Sequence, residues 1–286
     1  MMSEGNSSSI NLDLGNTARK MEELNAHLNE KGLELELIEI TDELDMSELT
    51  HYEDLDTKHH LLLCLNQRES SQKCISSIIC KITESNTIEI SSKTRPEFEG
   101  RGYNKLLRSA IIFLAPYIIH NGTRIEKIVS RAINPASTYI MIKYFHAHNG
   151  EFDSYRRREG KKYENITPED IRIFEEEKDE KIMREIGEKI GEDLDEEEYE
   201  EKLNEYMMEN ESIGEPYYLT VDVSDRTGEI KMRMQQMAKK VFFDTLTGSK
   251  KKGGTKKKRK TRMRSSTQRR RSIQRRKSRT SKKTKL

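Results

Sequence analysis

Apolar residues alternate with polar ones, or gather in short runs, along most of the first 250 positions. Leu33, Leu35 and Leu37 alternate with glutamates, a period of two that is typical of a half-buried strand. Other short apolar runs are bounded by turn residues. The segments at 74–82 and 87–94 lie on either side of the turn residue Asn86 and predict a hairpin. The predicted strands lie at 33–37, 60–65, 74–82, 87–94, 127–133, 151–155 and 217–223.

Periods near 3.6 residues predict helices between these strands. The Asn134-Pro135 pair is a typical helix start, since asparagine caps the first turn and proline suits the first helical position. The alternation of strands and helices predicts an α/β domain. The predicted helices start at 16 or 17 and end at 32, span 105–114 and 134–148, and follow the last strand to about 246.

Charge is strongly segregated along the chain, although the formal net charge is only +2. Residues 250–286 hold 20 lysines or arginines and no acid, whereas 164–215 hold 22 acids and 6 bases. Blocks of this kind are typical of disordered or interacting segments. The predicted organisation is a disordered start at 1–15, a domain at 16–160, an acidic insertion at 161–215 with two amphipathic helices, the end of the domain at 216–248 and a disordered basic tail at 249–286.

Composition excludes several classes of protein. The longest apolar run, 111–119, is far shorter than the roughly 18 residues of a membrane span, and the Ser-rich start lacks the pattern of a secretory signal. Cys64, Cys74 and Cys80 are too few for a disulfide framework and predict reduced core residues, with Cys74 and Cys80 on one strand face. His59-His60 has no third ligand nearby, so no metal site is predicted. The predicted location is cytoplasmic or nuclear.

The loop at 99–105 is the main candidate for chemistry, because it joins a predicted strand to a predicted helix. Amides at the start of the helix, together with the helix dipole, suit a phosphate or pyrophosphate. Gly100 and Gly102 let the backbone approach such a ligand without an intervening Cβ. A tight turn between strand and helix would use the same glycines, so both interpretations stay open.

The surrounding order of elements resembles the GCN5-related N-acetyltransferase superfamily over about 33–156 and again at 217–223. The run Glu99-Gly100-Arg101-Gly102-Tyr103-Asn104-Lys105-Leu106-Leu107 is similar to that family's pyrophosphate loop, and Asn134-Pro135-Ala136-Ser137 with Tyr139, Tyr144, Gly150 and Phe152 to its second signature. The resemblance implies a mixed, mostly antiparallel central sheet flanked by helices, and transfer of an acetyl group from acetyl-CoA to an amine.

The same resemblance implies roles for individual residues. Glu89 is the candidate base that deprotonates the amine, and Tyr144, in preference to Tyr139, the candidate acid for the leaving thiolate. A solvated strand position remains the alternative interpretation of Glu89. The implied cofactor-binding residues are Ile90, Ser91, Ser92, Gly100, Arg101, Gly102, Tyr103, Asn104, Lys105, Asn134 and Ser137.

A second hypothesis is a binding module that keeps this fold without transfer and associates with nucleic acid or chromatin through its basic tail. Glu99, Asn104 and the spacing of the tyrosines depart from the family pattern and favour it. The tail at 250–286, which looks like those on many proteins of large DNA viruses, predicts non-specific, salt-sensitive association with nucleic acid. A solubilising extension and a tail masked by the acidic segment are the alternatives that stay open. The run at 256–260 also resembles a nuclear localisation signal. The amine acceptor, a protein or a small molecule, stays open.

Overall fold

A computed structural model describes residues 12–40, 60–68, 70, 73–131, 134–190, 202, 217–225 and 227–248. All of them belong to one compact unit within residues 1–249. The strands are β1 (Leu12–Asp13), β2 (Leu33–Glu39), β3 (Leu61–Gln67), β4 (Ser76–Ile82), β5 (Thr87–Thr94), β6 (Ile119–His120), β7 (Thr123–Arg124), β8 (Lys127–Arg131) and β9 (Tyr218–Asp222). The helices are α1 (Gly15–Leu28), α2 (Tyr103–Leu114), α3 (Pro135–Phe145), α4 (Gly150–Arg158), α5 (Pro168–Ile190) and α6 (Glu229–Leu246).

The main sheet has six strands in the order β2-β3-β4-β5-β8-β9. Every neighbouring pair is antiparallel except β5 and β8, which are parallel and are joined by a connection that contains α2. The expected mixed, mostly antiparallel sheet flanked by helices is therefore confirmed. A second, small sheet has the order β1-β6-β7.

The core lies mainly on one face of the six-stranded sheet. Alternate residues of its strands, such as Ile78, Ile88 and Ile90, pack there against apolar residues of the helices. On the other face, Leu62, Cys64, Cys74 and Ile79 form a smaller buried cluster. The apolar run of β3 is buried on both faces, which explains why it lacks alternation. Among the described helices, none is long and apolar enough to cross a bilayer.

The helix α6 runs antiparallel to α2 along that core face. Phe242 and Ala238 are fully buried in the same cluster as Leu107 and Ile111 of α2. Near its end, the Thr245 methyl group lies only 3.3 Å from the position that a Cβ on Gly102 would take. Near its start, Lys231 lies over the ring of Tyr117, which follows α2. One helix late in the chain therefore covers α2 from end to end.

Two of the predicted domain boundaries are wrong in part. Leu12 and Asp13 were expected in a disordered segment, but they pair with β6, and the Asp13 carboxylate accepts a hydrogen bond of 2.9 Å from the Gly15 amide as α1 begins. The acidic insertion was expected from residue 161, but Ile171 and Phe174 at the start of α5 are buried in the main core. The helix is amphipathic there, so it belongs to the domain although most of its acids are exposed or half-buried; Asp170 is buried and pairs with Lys161. Residues 1–11, 41–59 and 249–286, like most of 191–216, lie outside the described residues.

The strand predicted at 151–155 is wrong, because this segment is the helix α4. The Asn149 carboxamide oxygen accepts hydrogen bonds from the amides of Glu151 and Phe152, at 3.0 and 3.1 Å, and so caps the helix. Phe152 and Tyr155, three apart, are both buried on the face toward α5. The helix α3 was expected to run to about His148 and to end at Asn149-Gly150, but it ends at Phe145, where His146 takes a left-handed conformation, and Asn149-Gly150 starts the next helix.

The cysteine pairing also differs from the prediction. Cys74 lies just before β4 with φ of +55°, and it forms a disulfide with Cys64 across a Cα–Cα distance of 5.0 Å. Cys80 is a buried free thiol in the other cluster, and burial raises its pKa to about 12. The prediction of three reduced cysteines is therefore wrong for Cys64 and Cys74. The expected face shared by Cys74 and Cys80 is also wrong, because Cys74 lies before β4 with a left-handed backbone and so falls outside the alternation of that strand.

This pairing predicts the thiol count and the stability of the protein. Oxidised protein unfolded without reductant should show one reactive thiol, from Cys80, against three after reduction. Because the bridge closes a short loop of sequence separation 10, reduction should lower the free energy of unfolding by about 2–3 kcal/mol. Thiol titration and denaturant melts measure both quantities. Three reactive thiols in the oxidised sample would contradict the pairing, and a Cys64→Ala/Cys74→Ala variant insensitive to reductant is the control.

Candidate functional site

A notch opens where the only parallel pair of described strands parts. β5 and β8 pair over Thr87–Ile90 and Lys127–Ser130. Beyond Ile90, β5 continues to Thr94 with β4 as its sole strand partner in the described chain, while β8 continues beside β9. The notch thus lies at the carboxyl ends of two parallel strands, where α/β sheets typically bind ligands.

The glycine loop at 99–105 leads from β5 to α2 at the edge of this notch. Gly100 and Gly102 have φ of +75° and +84°, a left-handed conformation that glycine adopts without strain. A Cβ on Gly100 would meet no atom within 4 Å. The loop therefore exposes bare backbone beside the open strand edge.

The first turn of α2 presents amides without backbone acceptors. The first intrahelical bond joins the Leu106 amide to the Gly102 carbonyl at 3.0 Å. Within the described residues, the amides of Tyr103, Asn104 and Lys105 have no hydrogen-bond acceptor, and the helix dipole adds partial positive charge there. This is the local geometry that suits an anion.

Two cationic side chains, Arg101 and Lys105, belong to the loop, and each contacts an aromatic ring. The Arg101 guanidinium lies 5.0 Å from the centroid of the Phe98 ring and donates a hydrogen bond to the Glu97 carbonyl. The Lys105 Nζ lies 4.0 Å from the centroid of the Tyr144 ring on α3. The loop thus has two cations close to its amides, and Glu99 is exposed to solvent.

A buried arginine stands at the closed end of the notch, and sequence reasoning missed it. Arg108 is 2% exposed. Its NH2 donates to Ser92 Oγ on β5 at 2.9 Å, and its NH1 donates to Ser130 Oγ on β8 at 3.0 Å. The guanidinium therefore bridges the two strands just where they part. The available signal was a charge within the stretch Leu106–Leu114, whose other residues are apolar except for Ser109.

Asn104 completes this network. Its Oδ1 accepts from Arg108 Nε at 2.7 Å, and its Nδ2 donates to Ser92 Oγ at 3.0 Å. The side chain that departs from the family pattern is thus used inside the protein, whereas its backbone amide stays at the helix start. We call Ser92, Asn104, Arg108 and Ser130 the notch network.

The structure brings most of the predicted cofactor-binding residues to one place. Gly100 to Lys105 form the loop and first turn, Ser92 belongs to the notch network, and Ile90 is buried in the core beside it. Ser91 is exposed on the opposite face. Asn134 caps α3 by accepting a 2.8 Å bond from the Ser137 amide, and Ser137 is buried, so both have structural roles.

The two predicted catalytic side chains are not brought together. Tyr144 is half-buried on the helical side of the sheet, where it packs edge-on against Tyr139 at 6.1 Å. Glu89 is exposed and alternates with the buried Ile88 and Ile90, so it lies on the other face. Among the described residues, no group of three histidines, cysteines or acids could hold a metal ion, and His59 lies outside them.

The notch network predicts a large cost for removing its cation. Arg108→Met should lower the free energy of unfolding by about 2–4 kcal/mol, because buried hydroxyl and carboxamide groups lose their partner. Arg157→Met, which removes an exposed guanidinium from α4, should change it by less than about 0.5 kcal/mol. Urea melts of both variants measure the difference. Equal effects would show that Arg108 does not hold the strands.

Comparisons with protein-family models and with curated proteins found no match to this chain. The chemistry of the notch is therefore inferred from its own geometry.

Proposed function

We propose that the notch binds acetyl-CoA and that the protein transfers its acetyl group to an amine. The observation that carries this proposal is the parting of β5 from β8 beside the first turn of α2, whose three leading amides have no acceptor among the described residues. An extended ligand with a pyrophosphate at one end and a chain of amides at the other matches both features. The GCN5-related arrangement implied by the sequence is consistent with this order of strands and helices.

The pyrophosphate would lie on the loop. The amides of Tyr103, Asn104 and Lys105 point from the first turn of α2, and bonds to a charged acceptor contribute about 1.5–3 kcal/mol each. The side chains of Arg101 and Lys105 add positive charge. Glu99 opposes it, but its exposure lets water screen that carboxylate.

The pantetheine arm would lie along the free edge of β5. Over 91–94 this edge has no second strand in the described chain, so its backbone groups are available to the two amides of the arm. Adding an extended ligand to a sheet edge is a common mode of recognition. The notch network would close the inner end of this path and leave the thioester at the mouth, near α3.

Transfer requires a neutral amine, attack on the thioester carbonyl carbon, breakage of the C–S bond and a proton for the thiolate. Deprotonating an amine with a pKa near 10.4 at pH 7 costs about 4–5 kcal/mol. Glu89, acting through water, is the proposed base, and Tyr144 is the proposed proton donor. Because the two residues lie on different faces, water rather than direct contact has to link Glu89 to the amine.

A binding module without transfer is the second candidate, and the separation of Glu89 from Tyr144 is the observation that favours it. Such a module would bind coenzyme A through the same loop. Both functions therefore predict binding of coenzyme A at the loop, and only the transferase predicts turnover.

Coenzyme A binding should respond to charge at residue 100. Gly100→Asp and Gly100→Asn have nearly the same shape, and both tolerate a left-handed backbone in open space. The aspartate should weaken acetyl-CoA binding about tenfold or more relative to the asparagine, because its carboxylate faces the pyrophosphate. Calorimetry on the full chain measures this, and the basic tail contributes equally to both variants. Equal affinities would refute the loop as the pyrophosphate site.

Acetyl transfer should depend on Tyr144. With a panel of amines as acceptors, Tyr144→Phe should lower kcat by roughly 10- to 100-fold with little change in the KM for acetyl-CoA, because the phenol acts on the leaving group. Tyr139→Phe is the matched control and should retain most of the rate. Release of coenzyme A thiol measures turnover. Binding without turnover for any amine would favour the binding module.

A further inference from the structure

A second cationic site lies at the other end of α2. That helix is 12 residues long, so its ends are about 18 Å apart. Tyr117 stands in the turn that follows α2, and its ring is half-buried. The site is therefore separate from the notch and does not depend on the function proposed for it.

Two lysines from two helices lie over the Tyr117 ring, and an arginine lies close to one of them. Lys231 Nζ of α6 lies 4.3 Å from the ring centroid, and Lys20 Nζ of α1 lies 5.6 Å from it. Arg124 of β7 is that arginine, close enough to Lys231 to disfavour its charge. Partial burial, then Arg124 and Lys20, lower the pKa of Lys231.

Little negative charge compensates these cations. Within the described chain, Lys231 and Arg124 form no ion pair with a carboxylate. Lys20 bonds to Glu23 at 3.1 Å, but Glu23 is shared with Lys239 of α6. The rings of Tyr117 and Phe113 attract ammonium groups only weakly compared with an anion. Like charges held together in this way favour an anionic ligand.

An open cavity adjoins the cluster. It has a volume of about 660 Å³, which lies in the range of small-molecule sites. Arg19 adds a further cation at its wall, and that guanidinium also has no carboxylate partner in the described chain. The cavity is lined by Asn16, Arg19, Lys20, Glu22, Glu23 and Tyr117.

We propose that this cavity and the adjoining cations bind the phosphate groups of a ligand. Lys20, Arg124 and Lys231 supply the charge, and Arg19 and Asn16 supply further donors at the wall. Glu22 and Glu23 line the same cavity and oppose anions there, which places the phosphate toward Tyr117 and Lys231. The phosphate belongs either to a free phosphorylated molecule or to the backbone of a single-stranded nucleic acid.

Lysine labelling of the full chain, read residue by residue by mass spectrometry, tests this site without interference from the lysines of the tail. Inorganic pyrophosphate should protect Lys20 and Lys231 from an amine-reactive reagent. Lys240 on the same helix is the matched control, because its side chain is 79% exposed and points away from the cluster toward Asp244. Sodium chloride at equal ionic strength should protect neither lysine. No protection of Lys231, or equal protection of Lys240, would overturn the proposal.

Two charge-removing variants test whether Arg124 contacts the phosphate. Arg124→Gln should raise the pyrophosphate concentration that half-protects Lys231 by about tenfold, since one charged bond is lost. Lys240→Gln removes the same charge outside the cluster and should leave this concentration unchanged. Equal shifts from the two variants would show a general charge effect and refute a defined site.

A single-stranded oligonucleotide distinguishes the two sources of phosphate. If it protects Lys231 in the parent protein and this protection weakens in Arg124→Gln, nucleic acid occupies the site. If only pyrophosphate protects, the ligand is a free phosphorylated molecule. Both results support a phosphate site, and absence of protection by either probe contradicts it.

Discussion

The burial of the Arg108 charge is the constraint on which the notch depends. A guanidinium inside a core is stable only where fixed acceptors replace its water. Arg108 finds them on Ser92 of β5, Ser130 of β8 and Asn104 of its own helix. Since the first two lie on strands that are parting, the arginine sets their separation. It also ties α2 to both strands, which keeps the amides of its first turn beside the opening.

Local sequence patterns were sufficient to predict those helices and strands whose signals lie within a few residues of each other. The hairpin of β4 and β5, the start of α3 at Asn134 and the strand β9 follow from alternation, capping and turn chemistry. Features that depend on distant parts of the chain could not be predicted in this way. The Cys64–Cys74 disulfide depends on strand register, and the role of Arg108 depends on two serines from separate strands. The helix α4 was missed because Phe152 and Tyr155 are too few to define a period.

One pair of helices supports both candidate sites. α2 and α6 are antiparallel, so the end of α6 at Thr245 reaches Gly102 while its beginning at Lys231 reaches Tyr117. The two sites differ in how they offer positive charge. The notch combines backbone amides and a helix dipole with the cations of Arg101 and Lys105, whereas the Tyr117 cavity uses side chains alone. On the two proposals, the first site would select its ligand by shape along a strand edge, and the second mainly by charge.

The position of α6 in the chain has a consequence for biosynthesis. Its buried residues, Phe242 among them, complete a core begun by α1 and α2, and Lys239 reaches Glu23 across 216 positions of sequence. The nascent chain therefore cannot close this core until about residue 246 has left the ribosome. Until then the part of the apolar surface of α2 that Phe242 and Ala238 cover stays open. Interrupted synthesis would yield chains that expose this surface, which makes them substrates for chaperones and proteases.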